Sequence, residues 1–324
     1  MQTLSLDVVL FGEAMAMFIA DDYLPLEAAD HYTRAVAGAE VNVSVGLSRL
    51  GYHVGWMSRL GNDPLGKYLL SQLQQAGVDT TRVLVDDVYP TGFQLKSRVL
   101  AGDPQVIYFR KGSAASHMAP NDEDDAYLGS ARHLHVTGIP PALSDTCRQY
   151  TYHVIEQAHM RGTSISFDPN LRPSLWKSVD EMREVLNDLA IRADWIFPGL
   201  SEGSILTGYT KTEDIAKFFL DQGVKLVALK VGAAGSCLFT NSQRYDLPIF
   251  PVQVVDTVGA GDGFAVGMIS GMLEGLPPLK CLERGNAIGA LAAMSSGDMD
   301  GLPNREMLNQ FLQLNQQSGI IYET

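Results

Sequence analysis

Asp256-Thr257-Val258-Gly259-Ala260-Gly261-Asp262-Gly263-Phe264 runs from a turn rich in Gly and Ala into Phe264–Leu273, an apolar stretch of helical character. Small residues let backbone N–H groups come close to a ligand, and a helix N-terminus adds the positive end of its dipole. The combination predicts an anion cradle with Asp262 at its centre, where a carboxylate can take a proton from an attacking hydroxyl. A loose phosphoryl-transfer transition state needs mainly positioning and charge stabilisation, so amide donors and one base are a sufficient set. The plainer alternative is a glycine turn that caps a buried helix, with Asp262 as an N-terminal charge.

Outward from this stretch, short β-branched runs alternate with longer amphipathic ones. Strands are expected at Leu6–Phe11, Val54–Met57, His133–Thr137, Ser164–Asp168, Trp195–Phe197 and Leu226–Lys230. Helices are expected at Ala39–Leu50, Leu65–Ala76, Leu143–Arg161, Val179–Ala190 and Thr212–Gln222, the first two stopping at Gly51 and Gly77. This alternation predicts an α/β fold: a mostly parallel central sheet, covered by helices on both faces through crossover connections. Two segments break the rhythm. Met15–Val36 and Tyr89–Lys111 are turn-rich and extended, and predict a small β flap outside the main sheet. No Pro- or Ser-rich linker divides the chain, so residues 1–324 are read as one domain carrying that flap. The acidic cluster Asp122–Asp125 is expected to be a solvated loop.

The 324 residues are 46% hydrophobic and 19% charged, which excludes disorder and low-complexity polymers. Acidic residues number 37 and basic ones 24, a net charge of −13 that makes nucleic acid and anionic membranes poor partners. An anionic small substrate would need locally concentrated Arg and Lys. Cys147, Cys237 and Cys281 are too few and scattered for a disulfide framework or zinc cluster. No apolar run approaches the ~18 residues that span a bilayer. Met1–Asp22 has no basic start and carries Asp7 and Glu13, against a signal peptide. These features point to the cytoplasm.

The nine-residue string resembles the second signature of the ribokinase-like (PfkB) sugar kinases. The resemblance implies that fold, with Asp262 as catalytic base and the amides of Gly259, Ala260 and Gly261 as the anion hole. Ala37-Gly38-Ala39-Glu40-Val41-Asn42-Val43-Ser44, with Leu50-Gly51 and Gly61-Asn62-Asp63-Pro64-Leu65-Gly66 after it, resembles the first signature. It implies that Gly38 and Asn42 contact the sugar. Gly61 to Tyr68 also nearly spells a phosphate-binding P-loop, but Tyr68 stands where Mg²⁺ needs Ser or Thr. That reading is rejected, and Lys67 is expected to be an exposed first-turn residue.

Two arginines in Pro- and Gly-shaped loops bear on substrate. Tyr108-Phe109-Arg110-Lys111-Gly112-Ser113 ends the second flap segment, and Asp168-Pro169-Asn170-Leu171-Arg172 follows a strand. Loops at strand exits are where open α/β sheets bind ligands, and two arginines there predict a bidentate carboxylate or phosphate clamp. With His135-Val136-Thr137-Gly138-Ile139, these segments resemble the 2-keto-3-deoxygluconate kinases within the family, over roughly Leu6 to Pro303. The likeness implies that Tyr108, Arg110 and Arg172 contact a sugar acid. Gln94 stands at a flap position of the same set, where some relatives place a Tyr. The 5-dehydro-2-deoxygluconate kinases and fructokinases share parts of the Arg172 loop and are the near alternatives.

On the nucleotide side, Lys230-Val231-Gly232-Ala233-Ala234-Gly235-Ser236 has the plain reading of a β-hairpin. The family likeness makes Lys230, Gly232 and Gly235, together with Gly259 and Gly261, ATP contacts. It also places Asn286 near the base, although the small residues around it equally fit close helix packing. Relatives carry Asn-x-x-Glu near the phosphates and Mg²⁺. Here the stretch is Gly199-Leu200-Ser201-Glu202, which keeps Glu202 as a Mg²⁺ residue acting through water. The likeness further leaves a monovalent cation as an open requirement and implies a homo-oligomer paired through the flap. His133 and His135 are expected to be ordinary strand histidines. The leading expectation is an ATP-dependent kinase of 2-keto-3-deoxygluconate, against a non-catalytic sugar-acid sensor of the same fold. A dinucleotide oxidoreductase is disfavoured, because Phe11-Gly12-Glu13-Ala14-Met15 lacks the required glycines.

Overall fold

Val8 and Leu10 pack into one hydrophobic core, whereas Val9 and Phe11, between and after them, pack into another. Alternation along one strand, with both faces apolar, marks a central strand of a sheet covered on both sides. The computed structural model describes residues 5–99, 104–295 and 297–317. Its strands are β1 (Leu6–Phe11), β2 (Met15–Ala20), β3 (Tyr32–Ala37), β4 (Val54–Gly61), β5 (Val83–Asp86), β6 (Phe93–Lys96) and β7 (Val106–Phe109). They continue as β8 (Ala131–Thr137), β9 (Ser164–Asp168), β10 (Trp195–Ile196), β11 (Leu226–Lys230), β12 (Ser236–Phe239) and β13 (Arg244–Leu247).

A nine-stranded sheet has the order β13-β12-β11-β10-β9-β8-β1-β4-β5. Every pairing from β11 to β5 is parallel, and β12 and β13 add antiparallel strands at one edge. The Lys230–Ser236 turn is therefore the hairpin of its plain reading. The helices are α1 (Ala39–Arg49), α2 (Pro64–Gln75), α3 (Asp122–Leu128), α4 (Pro140–Leu143), α5 (Asp145–Arg161) and α6 (Val179–Ala190). After them come α7 (Leu200–Thr207), α8 (Thr212–Leu220), α9 (Ala260–Leu273), α10 (Pro278–Ala293) and α11 (Arg305–Gln317). Helices α1, α2, α9, α10 and α11 cover one face; α3 and α5 to α8 cover the other.

The two arrhythmic segments pair with each other in a separate sheet of order β3-β2-β6-β7. In it Met17 faces Gln94 and Ile19 faces Lys96 across a parallel register, while Gln94 faces Tyr108 in the antiparallel hairpin. Positions 100–103 of the second segment lie outside the described residues.

Three local expectations are refined. Asp122–Asp125 is not a solvated loop: it opens α3, capped by Asn121, whose side chain accepts from the Asp124 amide at 2.9 Å. Asp124 is buried, where Arg82 donates to it at 2.9 Å and Tyr150 at 2.6 Å. A buried carboxylate needs such partners, and they come from segments remote in sequence. The helix expected over Leu143–Arg161 is split at Ser144, whose hydroxyl caps α5 by accepting from Cys147 N at 3.1 Å. Lys67 is exposed on the first turn of α2, where Asp63 caps the helix and Pro64 opens it.

Candidate active site

Glu13, Asp168 and Lys230 lie at the C-terminal ends of β1, β9 and β11, the edge at which parallel α/β sheets gather ligands. They line a cavity of about 380 Å³ that the small sheet covers with Gln94, Lys96, Tyr108 and Arg110. The Asp256–Phe264 stretch closes its other side. Gly259 caps α9 with φ 82°, and a Cβ there would lie 2.6 Å from the Asp298 carbonyl oxygen. Only glycine fits that turn. The Ala260 amide donates to Thr257 O at 3.2 Å and the Gly263 amide to Gly259 O at 2.8 Å. Of the three amides expected in the anion hole, those of Gly259 and Gly261 have no backbone acceptor among the described residues, whereas that of Ala260 is engaged.

Asp262 stands in the first turn of α9 and borders the cavity. Asn42 donates to its Oδ2 at 2.7 Å. Burial pushes its pKa up to about 7, with Asp168 adding to the rise and the Asn42 donation and Lys230 opposing it. Lys230 donates to buried Asp168 at 2.7 Å. Burial opposes the lysine's charge, but Asp168, Glu202 and Asp262 around it prevail and raise its pKa. Burial likewise lifts Asp168 to about 6, Lys230 working against it. One cation thus sits among three carboxylates.

Each Glu202 oxygen accepts one backbone N–H and keeps a further lone pair: Gly199 N donates at 2.6 Å and Leu171 N at 2.9 Å. It ties the N-terminus of α7 to the loop after β9, with its carboxylate at the cavity wall. In that loop Asn170 adopts φ 39°, and its Oδ1 is buried with no partner among the described residues, as are Asn42 Oδ1 and Glu40 Oε2. Three unpaired acceptors around one cavity call for donors, which a polyhydroxylated ligand has. Gly38 reaches the same wall with φ 145°. Opposite, the Arg110 guanidinium grips Glu13 through Nε at 2.7 Å and a second nitrogen at 2.5 Å, and Ser113 donates to the other Glu13 oxygen. Tyr108 lies 5.7 Å beneath the Arg110 guanidinium, and Arg172 is half-buried on the far side of the cavity.

A second cavity of about 390 Å³ lies beyond the turn, walled by Ile249, Phe250, Val252, Val254 and Phe264. Gly232, Gly235, Ala260 and Asn286 also line it. Asn286 accepts from Ser236 Oγ at 2.7 Å and donates to Pro248 O at 3.0 Å. Lys230, Thr257 and Gly261 border both cavities, so the free amide of Gly261 lies between a polar pocket, which Gly259 and Asp262 also line, and an apolar one.

The sequence profile of the pfkB family carbohydrate kinases matches residues 5–305. The chain belongs to that family. This sugar kinase is 51% identical to the 2-dehydro-3-deoxygluconokinase of Bacillus subtilis (strain 168) over 311 residues, 95% of this chain and 96% of the relative. The crystal structure of a PfkB protein from Polaromonas sp. JS666 superposes with a TM-score of 0.87 at 48% identity, covering 94% and 99% of the two chains. An E. coli protein described as a ribokinase II, in complex with ATP and Mg²⁺, superposes at 0.89 with 27% identity over 95% and 99%. The expected fold, ribokinase-like with a small second sheet, is borne out.

All the residues that the sequence singled out in the kinase border one cavity or the other. Glu13, Lys96 and Asp298 were not singled out, and Asp168 and Asn170 appeared only as neighbours of Arg172. A lone acid or lysine on a strand carries no signal until the sheet sets it beside a partner. His133 and His135 are buried and bonded to Ser164 and Ser166, and burial lowers both pKa values, that of His135 to about 3. They are strand histidines held neutral. No helix among the described residues is long and apolar enough to cross a membrane.

Proposed function

We propose that this kinase transfers the terminal phosphoryl group of ATP to the terminal hydroxyl of 2-keto-3-deoxygluconate. The observation that carries the reading is the position of Asp262 in the wall of the polar cavity, next to Gly261, whose free amide borders both cavities. The 51% identity over 95% of this chain to the Bacillus subtilis enzyme supports the substrate. The sugar acid occupies the polar cavity, its hydroxyls meeting the unpaired oxygens of Asn42 and Asn170 and its carboxylate meeting Arg172 and Arg110, with Tyr108 and Gln94 beside them. The adenine lies against the apolar cavity near Asn286, with Gly232 and Gly235 leaving room for the nucleotide.

In the reaction Asp262 accepts the hydroxyl proton, the sugar oxygen forms its bond to phosphorus, and the bond from phosphorus to the β-phosphate oxygen breaks, releasing ADP. The free amides and Lys230 steady the charge on the migrating group. The cavity wall offers Glu202 and Asp168 for hydrated Mg²⁺, a donor set that suits an ion which keeps its waters. Bound there, Mg²⁺ neutralises phosphate charge. The small sheet serves as the lid that excludes water, and Ile107 and Phe109, exposed on it, support pairing of two copies through it. The three free, buried thiols suit the reducing cytoplasm, where we place the reaction.

A substrate panel in a coupled ADP-release assay tests the proposal. The expected result is the highest kcat/KM on 2-keto-3-deoxygluconate, below it 5-dehydro-2-deoxygluconate, and fructose last. Fructose turned over as well as either acid would overturn the sugar-acid reading. Melting shifts with no ADP would support the sensor.

A further inference from the structure

Lys96 is 3% exposed, and its ammonium donates to Asp256 Oδ2 at 2.7 Å and to Asp298 Oδ1 at 3.3 Å. It projects from β6 of the small sheet, whereas its two partners flank the glycine turn of the main body. Asp256 starts that turn, its Oδ1 accepting from Val258 N at 2.9 Å. Asp298 lies beneath it, its carbonyl oxygen occupying the space that a Cβ on Gly259 would need. Burial opposes the charge on Lys96, yet the two aspartates outweigh it and raise its pKa. Asp298, also buried, has its pKa raised by burial, with Lys96 working in the other direction. Without the ammonium, the buried carboxylate of Asp298 and the partly buried one of Asp256 would face each other across the turn unpaired, a costly arrangement that the chain relieves by moving.

We propose that Lys96 is a positioning residue: its ammonium serves as a tethered monovalent cation that draws Asp256 and Asp298 together and so fixes the Gly259–Gly261 amides for phosphoryl transfer. The proposal rests on the reading of that turn as the phosphate cradle. It bears on the question of a monovalent cation, since a positive charge at this turn is carried by the chain itself. It also links the small sheet to the cradle, so a displaced sheet releases the turn.

The test is steady-state kinetics of wild type and Lys96→Met with potassium, ammonium or tetramethylammonium chloride at equal ionic strength. The wild type is expected to be indifferent to the salt. Lys96→Met is expected to lose kcat roughly 10- to 100-fold with KM for the sugar acid near that of wild type. Potassium or ammonium should recover part of that kcat, and the bulky tetramethylammonium none. Unchanged kcat in Lys96→Met, or a loss that no small cation relieves, overturns the proposal. So does a wild type that needs added potassium, a result obtained even if the variant does not fold. A wild type that forms no ADP on any sugar of the panel would instead overturn the kinase reading beneath it.

Discussion

Asn42 and Asp262, 220 positions apart, meet in a 2.7 Å hydrogen bond from the carboxamide nitrogen to Oδ2. The contact holds the carboxyl group of α9 against α1 and leaves Oδ1 as the oxygen without this donor. Burial raises its proton affinity most, and its neighbours in space, Asn42, Asp168 and Lys230, which come from three other parts of the chain, adjust it.

Asp262→Asn is expected to lower kcat by about 10²- to 10⁴-fold, the range for loss of a positioned base, with sugar affinity near wild type. Coupled ADP release and calorimetric titration measure the two quantities. Turnover close to wild type would remove Asp262 from its role.

The raised pKa of Asp262 predicts that kcat/KM climbs with pH through about 7 and then levels, because the base must be ionised in the free enzyme. The same shift acts on stability. Between the unfolded carboxyl's ordinary value of 3.8 and about 7, the folded state holds more protons than the unfolded, so this group's contribution falls as pH rises across that window. Asp262→Asn should therefore melt above wild type at pH 8 and close to it at acid pH. A variant that melts lower at pH 8 would contradict the shift.

Arg110→Ala and Arg172→Ala should both raise KM for acid sugars more than for neutral ones. Their stabilities should diverge. Removing Arg110 strands the Glu13 side chain, 0% exposed, and breaking such a buried pair costs about 3–5 kcal/mol. Arg172 donates only to the Leu171 carbonyl among the described residues and is half-buried, so its loss should barely move Tm. Adding Glu13→Gln to Arg110→Ala should recover stability but not acid-sugar affinity. Denaturant melts and a KM comparison separate the effects.

Gly259→Ala forces a side chain into φ 82° and against Asp298 O, for a cost of about 1–3 kcal/mol in backbone strain alone. Gly51→Ala is the control, with φ 91° and nothing within 4 Å of its Cβ. Both should lower Tm, and only Gly259→Ala should also lower kcat. Equal activities in the two would dissociate the turn from phosphoryl transfer.

The central strands, the helix stops at Gly51 and Gly77 and the start of α9 were legible in the sequence because each depends on near neighbours: alternating apolar residues, a cap, a glycine free to adopt positive φ. The glycine turn and Asp262 were legible for the same reason, since nine consecutive residues hold both the amides and the carboxylate of the proposed cradle. Tertiary structure decided what depends on approach across the chain. It turned Asp122–Asp125 into a capped helix with a buried acid, paired Arg110 with Glu13, and drew Lys96 between Asp256 and Asp298. It also set the proton affinities, because a carboxyl that is ordinary in water holds its proton to near neutral pH only once burial and neighbouring carboxylates surround it.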